Sequence, residues 1–181
     1  MILLISSPAK AWEEIAFESD KRKVLGFFVY PMIGLCGLSI FLGSILDTGL
    51  SGLGFQIAMT KCCSVFVALF GGYFLTAYLI NKLGSTLFKT KDNLLLLQQF
   101  VGYSMVVTFL LDIIGGIVPD FFILRWILQF YVIFVVWEGV RILLRIEEQK
   151  QMAYTVMASF LIVLCPALLG LAFNKLSFIL N

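Results

Sequence analysis

Long apolar runs alternate with short charged connections along this chain, and the alternation repeats five times, over 24–46, 62–80, 100–118, from past Pro119 and Asp120 to 144, and 152–173. Each run is about 20 residues long, enough at about 1.5 Å per residue to cross roughly 30 Å of hydrocarbon as a helix. Span four is the least pure of them, interrupted by Arg125, Gln129, Glu138 and Arg141. Little besides Pro119 and Asp120 separates it from span three, so these two helices are expected to form an antiparallel hairpin. The pattern predicts an all-α membrane protein: a bundle of five transmembrane helices with a short N-terminal amphipathic interfacial helix. It divides the chain into a cytoplasmic N-terminal segment over 1–23 and a transmembrane domain over 24–181.

Ahead of span one, Ser7 and Pro8 offer an N-cap followed by proline in the first helical turn, the position where its missing N–H costs nothing. Trp12, Ile15, Ala16 and Ser19 then recur at helical spacing, with Lys10, Glu13 and Glu14 on the other faces. This predicts a helix lying on the cytoplasmic leaflet with Trp12 as its membrane-surface anchor. The apolar residues 1–5 stop at Ser6, Ser7 and Pro8, too short a run for a signal-peptide core, so span one is expected to act as the insertion signal.

Composition sharpens the picture. The 181 residues are 61% hydrophobic and 13% charged, against about 45–50% and about 25% in an average soluble domain. A soluble fold cannot hide that much apolar surface, and the five spans leave no room for a separate soluble domain. The net charge of +2 matters less than where the cations fall. Lys10, Lys21, Arg22 and Lys23 precede span one, Lys82, Lys89 and Lys91 follow span two, and Arg141, Arg145 and Lys150 close span four, leaving only Lys61, Arg125 and Lys175 for the opposite side. Ten against three places the N-terminus in the cytoplasm and, after five crossings, the C-terminus outside. No basic stripe interleaved with aromatics suggests a nucleic-acid partner.

Lipid supplies no hydrophobic drive for helix association, so small and weakly polar faces mark expected contacts. Such faces are Gly26, Gly34 and Gly37 with Tyr30 in span one, and Ser64, Ala68, Gly72 and Thr76 in span two. Span three has Ser104, Thr108 and Asp112 followed by Gly115 and Gly116, and span five has Thr155, Ser159, Pro166 and Gly170. Pro31 and Pro166 fall within spans and should kink them. Cys36, Cys62, Cys63 and Cys165 sit in or beside apolar stretches with neither disulfide nor metal-site spacing, and read as small buried hydrophobes.

An ionisable group within a span costs roughly 2.5–3.5 kcal/mol on insertion scales and needs a partner. Asp112 lies about 9 Å from the end of span three by helical rise, and Arg125 lies at matching depth beyond the turn, so the two are expected to form an intramembrane ion pair. A clamp that fixes hairpin register is the expected role, a proton or ion relay the alternative. Glu138 shares a helix face with Tyr131 on one side and Arg141 and Arg145 on the other. Glu138, Arg141 and Arg145 read as cations snorkelling around a neutralised acid, or, with Glu147 and Glu148, as a cytoplasmic docking patch.

No His occurs in the chain, which excludes a Ser-His dyad and His-dependent zinc or phosphatase chemistry, and Asp112 has no second acid for aspartyl proteolysis. No catalytic, cofactor-binding or metal site is expected. The stretches SSPAKAWEEI at 6–15 and GYSM at 102–105, the proline turn at Pro119, and YVIFVVWEGVRILLR at 131–145 together make the chain resemble the Yip1 family over nearly its whole length. The resemblance implies five spans with a cytoplasmic N-terminus. It also implies a trafficking-like or membrane-organising role, since eukaryotic members bind prenylated small GTPases through a longer N-terminal region that has no counterpart here; the compact form is similar to bacterial members, which implies an inner-membrane setting. The leading expectation is a non-enzymatic scaffold whose partners are the lipid bilayer, proteins docking at the cytoplasmic face and further copies of the chain. The alternative is a small-solute or ion transporter with a polar path around Asp112 and Arg125, lined by Ser104 and Thr108.

Overall fold

The computed structural model describes residues 2–17, 23–90, 92–118 and 122–180. Lys21, Arg22 and Lys91 of the charge count, Ser19 of the amphipathic face, and Pro119 and Asp120 of the hairpin turn lie outside them. In chain order the helices are α1 (Ile2–Ser6), α2 (Pro8–Ala16), α3 (Tyr30–Thr48), α4 (Gly52–Phe88), α5 (Leu94–Ser104), α6 (Val106–Ile117), α7 (Phe122–Gln129), α8 (Tyr131–Gly139) and α9 (Glu148–Leu180), with π-helical turns at Leu25–Val29 and Val140–Leu144. No strand occurs among the described residues. Five helical units are long and apolar enough to cross a membrane: the first π turn with α3, α4, α5 with α6, α7 onward through α8 and the second π turn, and α9.

Two spans run well past the lengths read from hydropathy. Between Ser51, whose hydroxyl caps α4 by accepting from the Gly54 N–H at 3.0 Å, and the left-handed Lys89 that ends it, nothing in 52–61 or 81–88 breaks a helix. Hydropathy therefore located the apolar centre of α4, and the caps set its ends. Pro31 lies just past the first π-helical turn. The π turn before it absorbs the missing donor: the Tyr30 N–H reaches back five residues to the Leu25 carbonyl, widening the helix where the proline ring would otherwise press on the preceding turn.

The core seam is between α4 and α9, which run antiparallel. Down this seam Ser64 donates to Asn174 Oδ1 at 2.7 Å, Ala68 meets Gly170, Gly72 meets Pro166, Thr76 donates to the Leu161 carbonyl at 3.3 Å, and Gly84 faces Tyr154. Each step of about four residues down one helix matches a step up the other, so the small residues form one continuous track. A Cβ on Gly72 would lie 2.7 Å from Pro166 Cγ, so only glycine fits there. Pro166 thus sits within α9 as the knob for this hole.

α3 packs parallel to α6 by a face different from the expected one. Gly26 and Gly34 look into open space, while Gly37 meets Phe66 and Tyr30 stacks on Phe70, both on α4. The face toward α6 is Cys36, Ser39 and Gly43. Cys36 Sγ donates to the Phe109 carbonyl at 3.3 Å, Ser39 Oγ donates to the Ile113 carbonyl, and Gly43 lies against the Gly116 backbone with no room for a Cβ on either. A sulfhydryl and a hydroxyl that can bond outward to carbonyls decide the face here, and glycine alone does not.

The reading of all four cysteines as buried holds for Cys36 and Cys165 only. Cys63 is exposed and Cys62 half-buried, because they lie beside Ser64 on the helix but turned away from the seam that Ser64 enters.

Candidate functional site

Three polar pairs gather where α4, α6, α7 and α9 meet. Asp112 on α6 is buried and accepts from Arg125 Nη2 on α7. One turn further along the same hairpin, Gln129 Nε2 donates to Thr108 Oγ1 at 3.3 Å. The two contacts step in opposite directions along their helices, the register of an antiparallel hairpin. The third pair is Ser64 with Asn174. A cleft of about 440 Å³ lies among them, and its wall includes Ile40, Leu69, Val163 and Trp126 as well as the six polar residues. Arg125 is the member in touch with the surroundings, its side chain 44% exposed against 10% for Asp112. Helix geometry supplies the reason: α7 lies at the bundle edge while α6 is enclosed, so the long guanidinium stem carries its charge inward to a short, buried carboxylate.

Each polar group of the cleft already has a protein partner. Such a set holds helices in register and tolerates water; chemistry would need a nucleophile beside a base, or a group left unpaired and aimed at a substrate. No three metal-ligating side chains cluster among the described residues. Asn174 lies one residue beyond the end read for span five. Its signal was present in the sequence, four residues after Gly170 on the small-residue track.

The other predicted residues lie at the opposite end of the bundle. Glu138 is buried at the end of α8 and pairs with Arg141 Nη2 at 2.8 Å, the arginine remaining 55% exposed. The carboxylate therefore fixes Arg141 and leaves only the guanidinium at the surface. Arg145 points elsewhere: it caps the second π turn in a left-handed conformation and lines a separate cavity with Lys89 and Lys150. Glu138, Arg141 and Arg145 are thus divided between two places.

Trp12 is not a lipid anchor. It has no exposed surface. Its indole Nε1 donates to the Val135 carbonyl at 2.9 Å, its ring packs on Phe100 and edge-on to Tyr103, and Gly139 makes room for it. Tyr131 extends this attachment by donating to the Ile5 carbonyl at 2.6 Å, and Gln99 donates to the Ile15 carbonyl at 3.4 Å. The apolar face of α2 is thus spent on protein, because α8 and α5 offer a groove that encloses the indole ring and gives its N–H a carbonyl to bond. Lys10, Glu13 and Glu14 remain outward.

Comparison with known proteins agrees with this architecture. The Yip1 domain family model matches residues 2–170. That match takes in α1, α2, the basic end and all of the polar cleft except Asn174. No curated protein matches the chain, and no solved structure does. By a family match that covers nearly its whole length, this chain belongs to the Yip1 domain family of helical membrane proteins.

Proposed function

We propose that the protein is a non-enzymatic scaffold of the membrane, set in a bacterial inner membrane with its N-terminus in the cytoplasm, that recruits protein partners at its basic end. The observation that carries this reading is the docking of α1 and α2 onto the bundle through Trp12, Tyr131 and Gln99. It turns a short N-terminal segment into a fixed surface on which Lys10, Glu13 and Glu14 stand outward, packed against the π turn that carries Arg141, which Glu138 holds in place. Charged groups presented on a rigid support bind partners at lower entropic cost than the same groups on a tail. Ten of the thirteen Lys and Arg residues belong to this side of the charge pattern, which supports its facing the cytoplasm.

Crosslinking in intact cells followed by pull-down tests the reading, comparing the native chain with Glu13→Lys/Glu14→Lys and with Arg141→Glu. A specific partner captured by the native chain and lost in both variants is expected. Capture of nothing beyond the chain itself would overturn it.

The second reading is passage of a small solute or ion, favoured by the cleft of about 440 Å³ beside Asp112 and Arg125. The mutual pairing of its polar groups argues for the scaffold first. Flux of ions or small solutes in proteoliposomes, abolished by Asp112→Asn, would reverse that order.

A further inference from the structure

The cavity at the basic end is chemically unlike the rest of the molecule. It has a volume of about 590 Å³ and lies between the connection after α4 and the connection before α9, within the size range of small-molecule sites. Three cations line it: Lys89, Arg145 and Lys150. Its single lining acid, Glu147, is exposed and already pairs with Lys150 at 2.8 Å; the hydrogen bond from Lys150, and then its charge, hold the Glu147 carboxyl below the usual carboxylate range. Lys89 and Arg145 have no ion-pair partner among the described residues.

Two further features point the same way. The N-termini of α5 and α9 both open here, at Asn93 and Glu147, and helix N-termini favour anions. Lys89 (φ 55°) and Arg145 (φ 50°) are the only non-glycine residues with positive φ among those described. Each sits where a chain turns out of its helix, Lys89 in a closure whose next N–H, that of Thr90, returns to the Gly84 carbonyl at 3.3 Å. Glycine is the low-cost residue in this position, yet here the two left-handed turns facing one cavity both carry a cation. The floor is apolar, with Phe88 edge-on to Tyr154 beside Leu97 and Leu144.

We infer that this cavity binds a phosphate group, supplied by the headgroup of an anionic phospholipid whose glycerol and upper acyl carbons rest on the apolar floor. Lys89 and Arg145 hold the phosphate oxygens, and Lys150 is shared between the phosphate and Glu147. A basic pocket between helices above an apolar floor suits a lipid better than a free ion, because the floor gives free phosphate nothing to bury. The inference does not depend on the partner-recruiting reading, since none of these three cations belongs to the surface assigned to partners.

The test uses the full chain in detergent, with native mass spectrometry of bound phosphatidylglycerol against phosphatidylcholine of the same acyl chains, and thermal-shift titration with inorganic phosphate. Lys89→Gly/Arg145→Gly removes both cations while relieving both left-handed turns, so the fold should be kept. Lys89→Asn/Arg145→Asn is the second variant, since Asn also tolerates that conformation, and Lys23→Gln/Lys82→Gln is the charge-matched control. Expected is preferential retention of phosphatidylglycerol, about thirty-fold weaker in both cavity variants and unchanged in the control. Stabilisation by inorganic phosphate without lipid preference, lost in the same variants, would assign the site to a soluble phosphate and overturn the lipid source. Equal retention by wild type and cavity variants, equal loss in the control, or no binding of either probe would overturn the site.

Discussion

Trp12 shows how much one side chain can decide. Its ring is fully enclosed and its N–H is used, so Trp12→Ala should destabilise by about 3–5 kcal/mol. Trp12→Phe, which keeps most of the apolar area and loses the N–H bond to the Val135 carbonyl, should lose about 0.5–1.5 kcal/mol. Thermal unfolding in detergent orders the two; equal stability of all three proteins would show that α2 is only loosely attached. Asp112 and Arg125 are a different case, because one partner is enclosed and the other half exposed. A double-mutant cycle of Asp112→Ala and Arg125→Ala should give a coupling above the roughly 1 kcal/mol ceiling of exposed pairs. Glu147 and Lys150 are both well exposed, so Glu147→Gln should leave thermal stability nearly unchanged while releasing Lys150 and strengthening phosphate or lipid retention. The small contribution of that pair is present above the ordinary carboxylate pKa and fades as pH falls through the lowered one. Matching the depths of Asp112 and Arg125 needed only helical rise and a short turn, so their pairing was legible in the sequence. The burial of Trp12 was not, since an amphipathic helix reads the same whether its apolar face meets lipid or protein.

At the scale of elements the lesson concerns which small residues touch. The α4 and α9 track was readable because four-residue spacing of Ser64, Ala68, Gly72 and Thr76 has no other use in a lipid-facing helix. The face of α3 was legible only in part: Gly37 and Tyr30 meet Phe66 and Phe70 of α4, but Gly26 and Gly34 line nothing, while Cys36 and Ser39, with hydrogen-bonding side chains, reach carbonyls of α6. This gives a sharp contrast. Gly34→Ala, in open space within a helix, should be neutral or stabilise by about 0.5–1 kcal/mol. Gly43→Val and Gly72→Val should each abolish recovery of monodisperse folded protein, since each new side chain would overlap backbone or Pro166. Size-exclusion profiles of the three variants decide it, and a well-behaved Gly43→Val protein would mean that α3 and α6 do not approach as described.

For the whole molecule, the topology we propose sets the two ends on opposite sides of the membrane, with the asymmetry of Lys and Arg selecting which is which. A maleimide that does not cross bilayers should label Ser85→Cys only after the cell is opened and Lys175→Cys before, each on a background with the native cysteines replaced; the reverse pattern would invert the topology. Span number and membrane class were legible from hydropathy because desolvating the backbone leaves a chain so apolar few alternatives. The basic cavity was not, because it joins residues from two connections whose proximity depends on how α4, α5 and α9 pack. The attachment of α1 and α2 carries one more consequence, in the order of synthesis. Their hydrogen bonds to Val135 and from Tyr131 join positions 123 and 126 residues apart. The ribosome therefore releases Trp12 long before its groove exists, and three spans must enter the bilayer while it waits. A nascent chain halted before span four would display that helix uncovered, which makes its susceptibility to protease a timer for completion of the bundle.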